Sequence, residues 1–205
     1  PSNDNANTAW LQHCIAHLAP TGLACIVLTN GSLSGGNDVA LRRALLEADL
    51  VDCIVALPTQ LFANTQVAAS LWLLARDKRD PRFRGRCGQT LFIHAQHLGI
   101  MRDRVHRVLT DEDISAIAGA YHAWRAREQV YVDVPGFCAS AMLAEIAAHN
   151  WALVPGRYVG FANSSLPSMD IERVHTELAG AELWLERVAG AANEALATVR
   201  DALHG

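Results

Sequence analysis

The sequence predicts an α/β fold: a mainly parallel sheet that finishes on an antiparallel pair, then a helical extension and a long C-terminal helix. Three observations carry this. Runs of branched apolar residues alternate with helical segments from Ala6 to Ala75, the pattern of strands and crossovers in an α/β sheet. Two apolar runs, Cys53 to Leu57 and Val67 to Ala75, follow each other with only a polar loop between them, which reads as an antiparallel pair. From Ile171 onward the apolar positions alternate three and four apart, a heptad seam.

Taken in order, Ala6 to Leu18 reads as a helix, with Trp10, Cys14 and Leu18 on one stripe and Leu11 and Ile15 beside it. Pro20, Thr21 and Gly22 end it. Leu23 to Leu28 is a continuous apolar strand, and Thr29 to Asn37 a flexible Gly/Ser/Asn loop at its carboxyl end. Asp38 is placed to cap the helix Val39 to Ala48. The strand Cys53 to Leu57 is stopped by Pro58, which cannot donate to a ladder. The strand Val67 to Ala75 is apolar on both faces, as a strand covered on both sides should be. The sheet so read is incomplete, and its remaining strands are expected upstream of Pro1.

Leu91 to Ala95 reads as a further short strand. Thr110 is expected to cap a helix reaching about Arg127, with Asp111, Glu112 and Asp113 at its positive end. Its apolar face is Ile114, Ile117, Ala118, Tyr121 and Trp124. Ser140 is placed to cap a helix through His149, and Trp151 to Phe161 reads as turn and strand. The final helix begins at Ser168 and carries Val174, Leu178, Ala181, Leu185, Val188, Ala192, Ala195, Val199 and Ala202 on its seam. At 1.5 Å per residue it would be about 50 Å long, so it wants partner helices. The expected division is 1–95 for the sheet domain, 96–165 for a mixed helical extension and 166–205 for the assembly helix.

Composition narrows the function. The chain of 205 residues is 51% apolar, enough for a sizeable core. Its formal charge of −4 gives no global nucleic-acid signal, although a local basic patch acts over about a Debye length, roughly 8 Å. Five cysteines, none in a C-x-x-C pair, read as reduced, buried, small apolar side chains of a cytoplasmic protein. No run of 18 apolar residues occurs, so no membrane partner is expected.

Two stretches invite a functional reading. The loop Thr59 to Gln66 holds one large aromatic, Phe62, among Gln and Asn. From the residues alone Phe62 is either a core anchor for the loop or an exposed stacking face. From Arg76 to Arg86 the chain has six cationic residues in eleven. The run reads first as a solvated loop. Its functional reading is a phosphate-contacting loop, with Arg79, Arg82, Arg84 and Arg86 as candidate DNA backbone contacts. His13 and His17 have ligand spacing but no third ligand is placed. His94 and His97 lie near a strand end without a Cys partner, so no metal is expected. There is no P-loop, G-x-S-x-G or G-x-G-x-x-G motif.

Three strings are recognisable together: NANTAWLQHCIAHLAPTGLACIVLTNGSLSG, ALRRALLEADLVDCIVALPTQLFANTQVAASLWLLARDK and DVPGFCASAMLAEIAAHNWALVPGRYVG. In content and order they resemble the modification subunit of Type I restriction-modification systems, an adenine-specific DNA methyltransferase. The resemblance implies the C-terminal part of a Rossmann-like sheet with a terminal antiparallel strand, and S-adenosylmethionine as co-substrate. It implies DNA, a specificity subunit bound through the C-terminal helix and a restriction subunit as partners. It places Trp10 near the adenine of the methyl donor and Phe62 against a flipped target adenine. Asn30 stands where the family often has proline. The family's Gly-rich donor loop and its Asn/Asp-Pro-Pro-aromatic tetrad do not occur in these residues. No catalytic residue is therefore assigned, and the isolated chain is expected to be inactive. Two further roles stay open: a non-catalytic assembly module built on the heptad seam, with Leu178 and Leu185 at its interface, and self-association through an uncovered edge at Leu23 to Leu28.

Overall fold

The computed structural model describes residues 6–161, apart from the side chains of Ala6 and Asn37. The heptad helix expected from Ser168 lies outside the described residues. Within them, α1 (Ala6–Ala16) leads into β1 (Leu23–Thr29), then α2 (Val39–Glu47), β2 (Val51–Ala56), β3 (Ala69–Ala75) and β4 (Gln89–His94). A two-stranded ribbon follows, β5 (Ile100–Met101) and β6 (Arg107–Val108). After it come α3 (Asp111–Arg125), β7 (Cys138–Met142) and α4 (Leu143–Ala148).

The α/β class expected from the sequence is present, but the sheet is mixed rather than mainly parallel. Its strand order is β1-β3-β2-β4-β7. β3 runs antiparallel to both β1 and β2, β4 runs parallel to β2, and β7 runs antiparallel to β4. The antiparallel strand β3 is thus interior, while β7 supplies an antiparallel strand at the end of the sheet. The reason lies in the loop after β2, which returns β3 into the gap between β1 and β2. The sheet then continues past β2, so β7, from the segment after residue 95, joins the sheet of β1–β4, and α4 packs on its face.

Helices cover both faces, which explains why β2 is buried at every position. On one face Ile54, Trp72, Leu74 and Phe92 pack with Leu11 of α1, Leu45 and Leu46 of α2 and Ile146 of α4. On the other, Cys53, Val55, Leu91 and Ile93 pack with Trp124, Ile117 and Tyr121 of α3. β1 is the sheet edge and only half covered. Ile26 and Leu28 face the core, while Leu23 and Val27 are exposed. Position also decides the cysteines: Cys53 and Cys138 are buried, but Cys25 on the edge strand and Cys87 are exposed.

Local signals hold in part. Thr110 and Asp113 form the reciprocal capping box of α3, which satisfies two otherwise orphaned donors. Ile114, expected on the apolar face of α3, is exposed. Asp38 occupies the N-cap of α2 without a side-chain capping bond. Ser140 does not cap a helix. It lies within β7, where its hydroxyl accepts from Trp124 Nε1 and its N–H is bonded by Asp133. Trp151–Phe161 contributes turns and the 3₁₀ turn Pro155–Arg157 but no strand.

Candidate functional site

β1, β2 and β4 point the same way, so their carboxyl ends lie along one edge of the sheet. Open α/β sheets bind ligands along that edge. Three loops meet there. The first follows β1. The sequence suggests it is flexible, yet it is folded into 3₁₀ turns and held by Arg42 of α2. The Arg42 guanidinium is buried and donates to the carbonyls of Ser32, Gly35 and Trp151. Leu153 N–H donates to Leu33 O beside it. Arg42 thus ties the carboxyl end of β1 to a segment more than a hundred residues later.

The second loop joins β2 to β3. Leu57 is buried, and Leu61 packs against the core on the α3 face. Gln60 takes a positive φ of 67°, and its carbonyl accepts from Arg107 N–H at 2.8 Å. Leu61 is therefore the anchor, which leaves Phe62 41% exposed at a tight turn bridged to Thr65. The core-anchor reading of Phe62 does not hold.

The third element is the ribbon β5–β6. Its tip closes on Asp103, whose Oδ1 accepts from the N–H groups of Val105 and His106 while Oδ2 accepts from His106 Nδ1 at 2.7 Å. The Val105 N–H and the His106 ring hold the Asp103 carboxyl down to about 2. Phe62 to Gln66, Val105 and His106 line a cleft of about 340 Å³, within the size range of small-ligand sites.

Trp10 is on α1, 61% exposed, and meets His13 edge to face at 6.0 Å. Asn30, at the end of β1, has a buried Oδ1 without a hydrogen-bond partner. The His13 and His17 ring centres lie 4.3 Å apart with the rings tilted by 45°. Among the described residues no three His, Cys, Asp or Glu side chains gather around one point.

The basic run lies at the opposite edge. It connects the end of β3 to the start of β4, and Arg76 N–H bonds Gly22 O just before β1. Much of its charge is turned inward. Lys78 is buried and donates to Asp49, Val51 O and Gln89 O. Burial lowers its pKa, while the bond to Asp49 opposes that shift. Arg86, expected at a phosphate, has no exposed side-chain surface and forms a bidentate pair with Asp52 at 2.7 and 3.1 Å. Arg84 donates to Trp124 O and to Gln89. Arg82 grips Asp80, and Arg79 is exposed. Of the residues read as one basic loop, Lys78, Arg84 and Arg86 are struts closing the lower edge of the sheet, while Arg76, Arg79 and Arg82 stay exposed.

The sequence matches the N-6 DNA methylase family over residues 1–165. The chain belongs to that family. The methylase subunit of the type I restriction enzyme HindI of Haemophilus influenzae is 48% identical over 164 residues, which is 79% of this chain and 35% of that protein. The MjaIX methylase subunit of Methanocaldococcus jannaschii is 40% identical over 78% of this chain and 28% of its own length. This chain thus spans about a third of the methylase subunits it matches. The crystal structure of the type I methyltransferase subunit of Streptococcus thermophilus is similar with a TM-score of 0.64 at 29% identity, covering 76% of this chain and 30% of that one. The M protein of EcoKI shares the fold at 16% identity, with a TM-score of 0.59 over 73% of this chain and 37% of its own.

In this member of the N-6 DNA methylase family the structure brings Phe62 to the carboxyl edge and sets the basic run apart from it. Sequence reasoning missed Arg42, Asp103 and His106. The D-R-V-H spacing was the available signal for the ribbon tip, since an Asp two and three residues before the backbone donors it satisfies is turn chemistry.

Proposed function

We propose that this chain forms the target-base side of an enzyme that methylates the exocyclic amino group of adenine in DNA, within a type I restriction-modification complex. The observation that carries the reading is Phe62, partly exposed over a cleft at the carboxyl edge, with the neighbouring half-buried Leu61 packed against the core. The amino group of a stacked, paired adenine is out of reach, so such enzymes extrude the base and offer it an aromatic face. Phe62 stacks on that base, while the turn to Thr65 and the contact with the ribbon keep the ring at the cleft.

S-adenosylmethionine, when bound, supplies the methyl group. The residues present fit one wall of its site. The exposed Trp10 indole offers a face to the donor's adenine, and Asn30 Oδ1, at the end of β1, is a buried acceptor without a hydrogen-bond partner. Arg42 holds the loop after β1 in shape for that purpose. DNA, a specificity subunit and a restriction subunit are the partners this reading carries, in the cytoplasm.

Phe62→Ala in the methylase that carries this chain tests it. Base-on-aromatic stacking is worth about 1 to 3 kcal/mol, so methylation efficiency should fall on the order of 5- to 150-fold. Phe62→Trp should restore most of it. Fluorescence of 2-aminopurine at the target position should rise less on binding in the alanine variant. Unchanged kinetics together with unchanged fluorescence would remove Phe62 from the base pocket.

A further inference from the structure

We infer that the ribbon β5–β6 is a DNA-contacting element whose tip places Arg102 and Arg104 on backbone phosphates beside the target-base cleft. This rests on the reading of the chain as part of a DNA methylase, and adds a surface that the basic run was expected to supply.

Three observations point to it. The first is charge. Arg102 and Arg104 are exposed on either side of Asp103, and neither is committed to an internal carboxylate among the described ion pairs. Asp103 itself is occupied by His106 and by two backbone N–H groups, so its charge is internally used. Asp111 and Glu112 are exposed as well, but they sit at the base of the ribbon in the first turn of α3, where the helix dipole favours them.

The second is shape. A two-stranded ribbon is one of the elements that the major groove admits. This one is stiffened from within. Arg107 turns inward and donates to Leu98 O and Gly99 O. Gly99 adopts a φ of +82°, and a Cβ there would come within 2.8 Å of Val108 O. Met101 and Val105 are exposed near the tip, which suits contact with sugars and thymine methyl groups.

The third is place. Arg107 N–H bonds Gln60 O, and the His106 ring lies 3.5 Å from Ala63 O, so the ribbon and the Phe62 loop form the two walls of one cleft. A duplex whose base enters that cleft passes the ribbon tip. The basic run is a strand length away, roughly 20 Å at the usual rise, which is more than two Debye lengths. An acidic protein partner would also find the arginines, but nothing would then require the adjoining base-sized cleft.

The test is the salt dependence of DNA binding by the methylase carrying this chain, read by anisotropy of a fluorescein-labelled duplex. Each phosphate contact contributes about 0.9 to the slope of log affinity against log salt. Arg102→Gln with Arg104→Gln should flatten the slope by about 1.8, and Arg102→Lys with Arg104→Lys should keep it. Arg76→Gln with Arg79→Gln, at the far edge, should leave it unchanged. A slope retained in the Gln pair, or lost equally in the far-edge pair, overturns the ribbon assignment while leaving the methylase reading intact. A wild-type methylase that binds no DNA and methylates none overturns that reading, and the ribbon assignment with it.

Discussion

Replacing Arg86 with Met should cost this chain a large part of its stability and leave the proposed DNA contacts alone. The side chains of Arg86 and Asp52 have no solvent-exposed surface. Asp52 Oδ1 and Oδ2 accept from Arg86 Nε and Nη2, and Oδ2 also accepts from Tyr121 O–H at 2.7 Å. The guanidinium lies 5.7 Å from the centres of the Phe83 and Trp124 rings. Arg86→Met leaves the Asp52 carboxylate in the core with one hydroxyl for company. Breaking a buried pair from one side costs about 3 to 5 kcal/mol, because a charge is left without compensation. Tyr121→Phe removes one hydrogen bond to that charge and should cost about 1.5 to 3 kcal/mol. Asp52→Leu with Arg86→Met removes both charges, so the pair of changes should cost less than Arg86→Met alone. Urea unfolding resolves these effects. With a denaturant slope of about 2 kcal/mol per molar, Arg86→Met should lower the midpoint by roughly 2 M. A shift under about 0.5 M, or a double variant as costly as the sum of its parts, would refute the pair as a structural element. A loss of DNA affinity in a fully stable Arg86→Met protein would restore it to the phosphate contacts.

Two further predictions concern the ribbon. The Asp103 carboxyl is held down to about 2, first by the Val105 N–H and next by the His106 ring. Its folded value thus lies below its unfolded one, near 3.9. The stability it contributes is fully present above pH 4 and is lost as pH falls through about 2. The amide shifts of Val105 and His106 should titrate with a midpoint near 2. A midpoint near 4 would mean that the tip is not closed on Asp103. Gly99→Ala forces a side chain into a left-handed conformation with a Cβ 2.8 Å from Val108 O, a strain of about 1 to 3 kcal/mol. Exchange of the Arg107 amide, which bonds Gln60 O, should speed up, with the β2 amides unaffected. Unchanged protection of Arg107 would show that the ribbon tolerates the clash.

Much of the fold was legible in the residues because it depends on near neighbours. The capping box of Thr110 and Asp113 needs only a spacing of three, and it formed. The runs around Val51 and Ala69 are apolar on both faces, and both became central strands between two helical layers. Phe62 could be singled out because a lone aromatic in a polar loop is conspicuous, but whether it anchored the loop or faced out depended on Leu61. Pairing partners were not legible. The return of β3 between β1 and β2, and the antiparallel addition of β7, are contacts between residues far apart in the chain, on which local periodicity is silent.

The sequence by itself determined the α/β class, the positions of α1, α2, α3 and the central strands, and the family, because these follow from side-chain periodicity and from strings of matched residues. Only the tertiary structure decided what the charges do. Arg86 and Lys78 read like their neighbours in a basic run, yet the chain buries them against Asp52 and Asp49, because the loop after β3 must close beneath the sheet and those carboxylates lie on β2 and just before it. Arg102 and Arg104 sit in a stretch of mixed charge that draws no notice. The tertiary structure sets the ribbon that carries them against the Phe62 loop, because β2 and β4 run parallel and therefore deliver their following loops to the same edge.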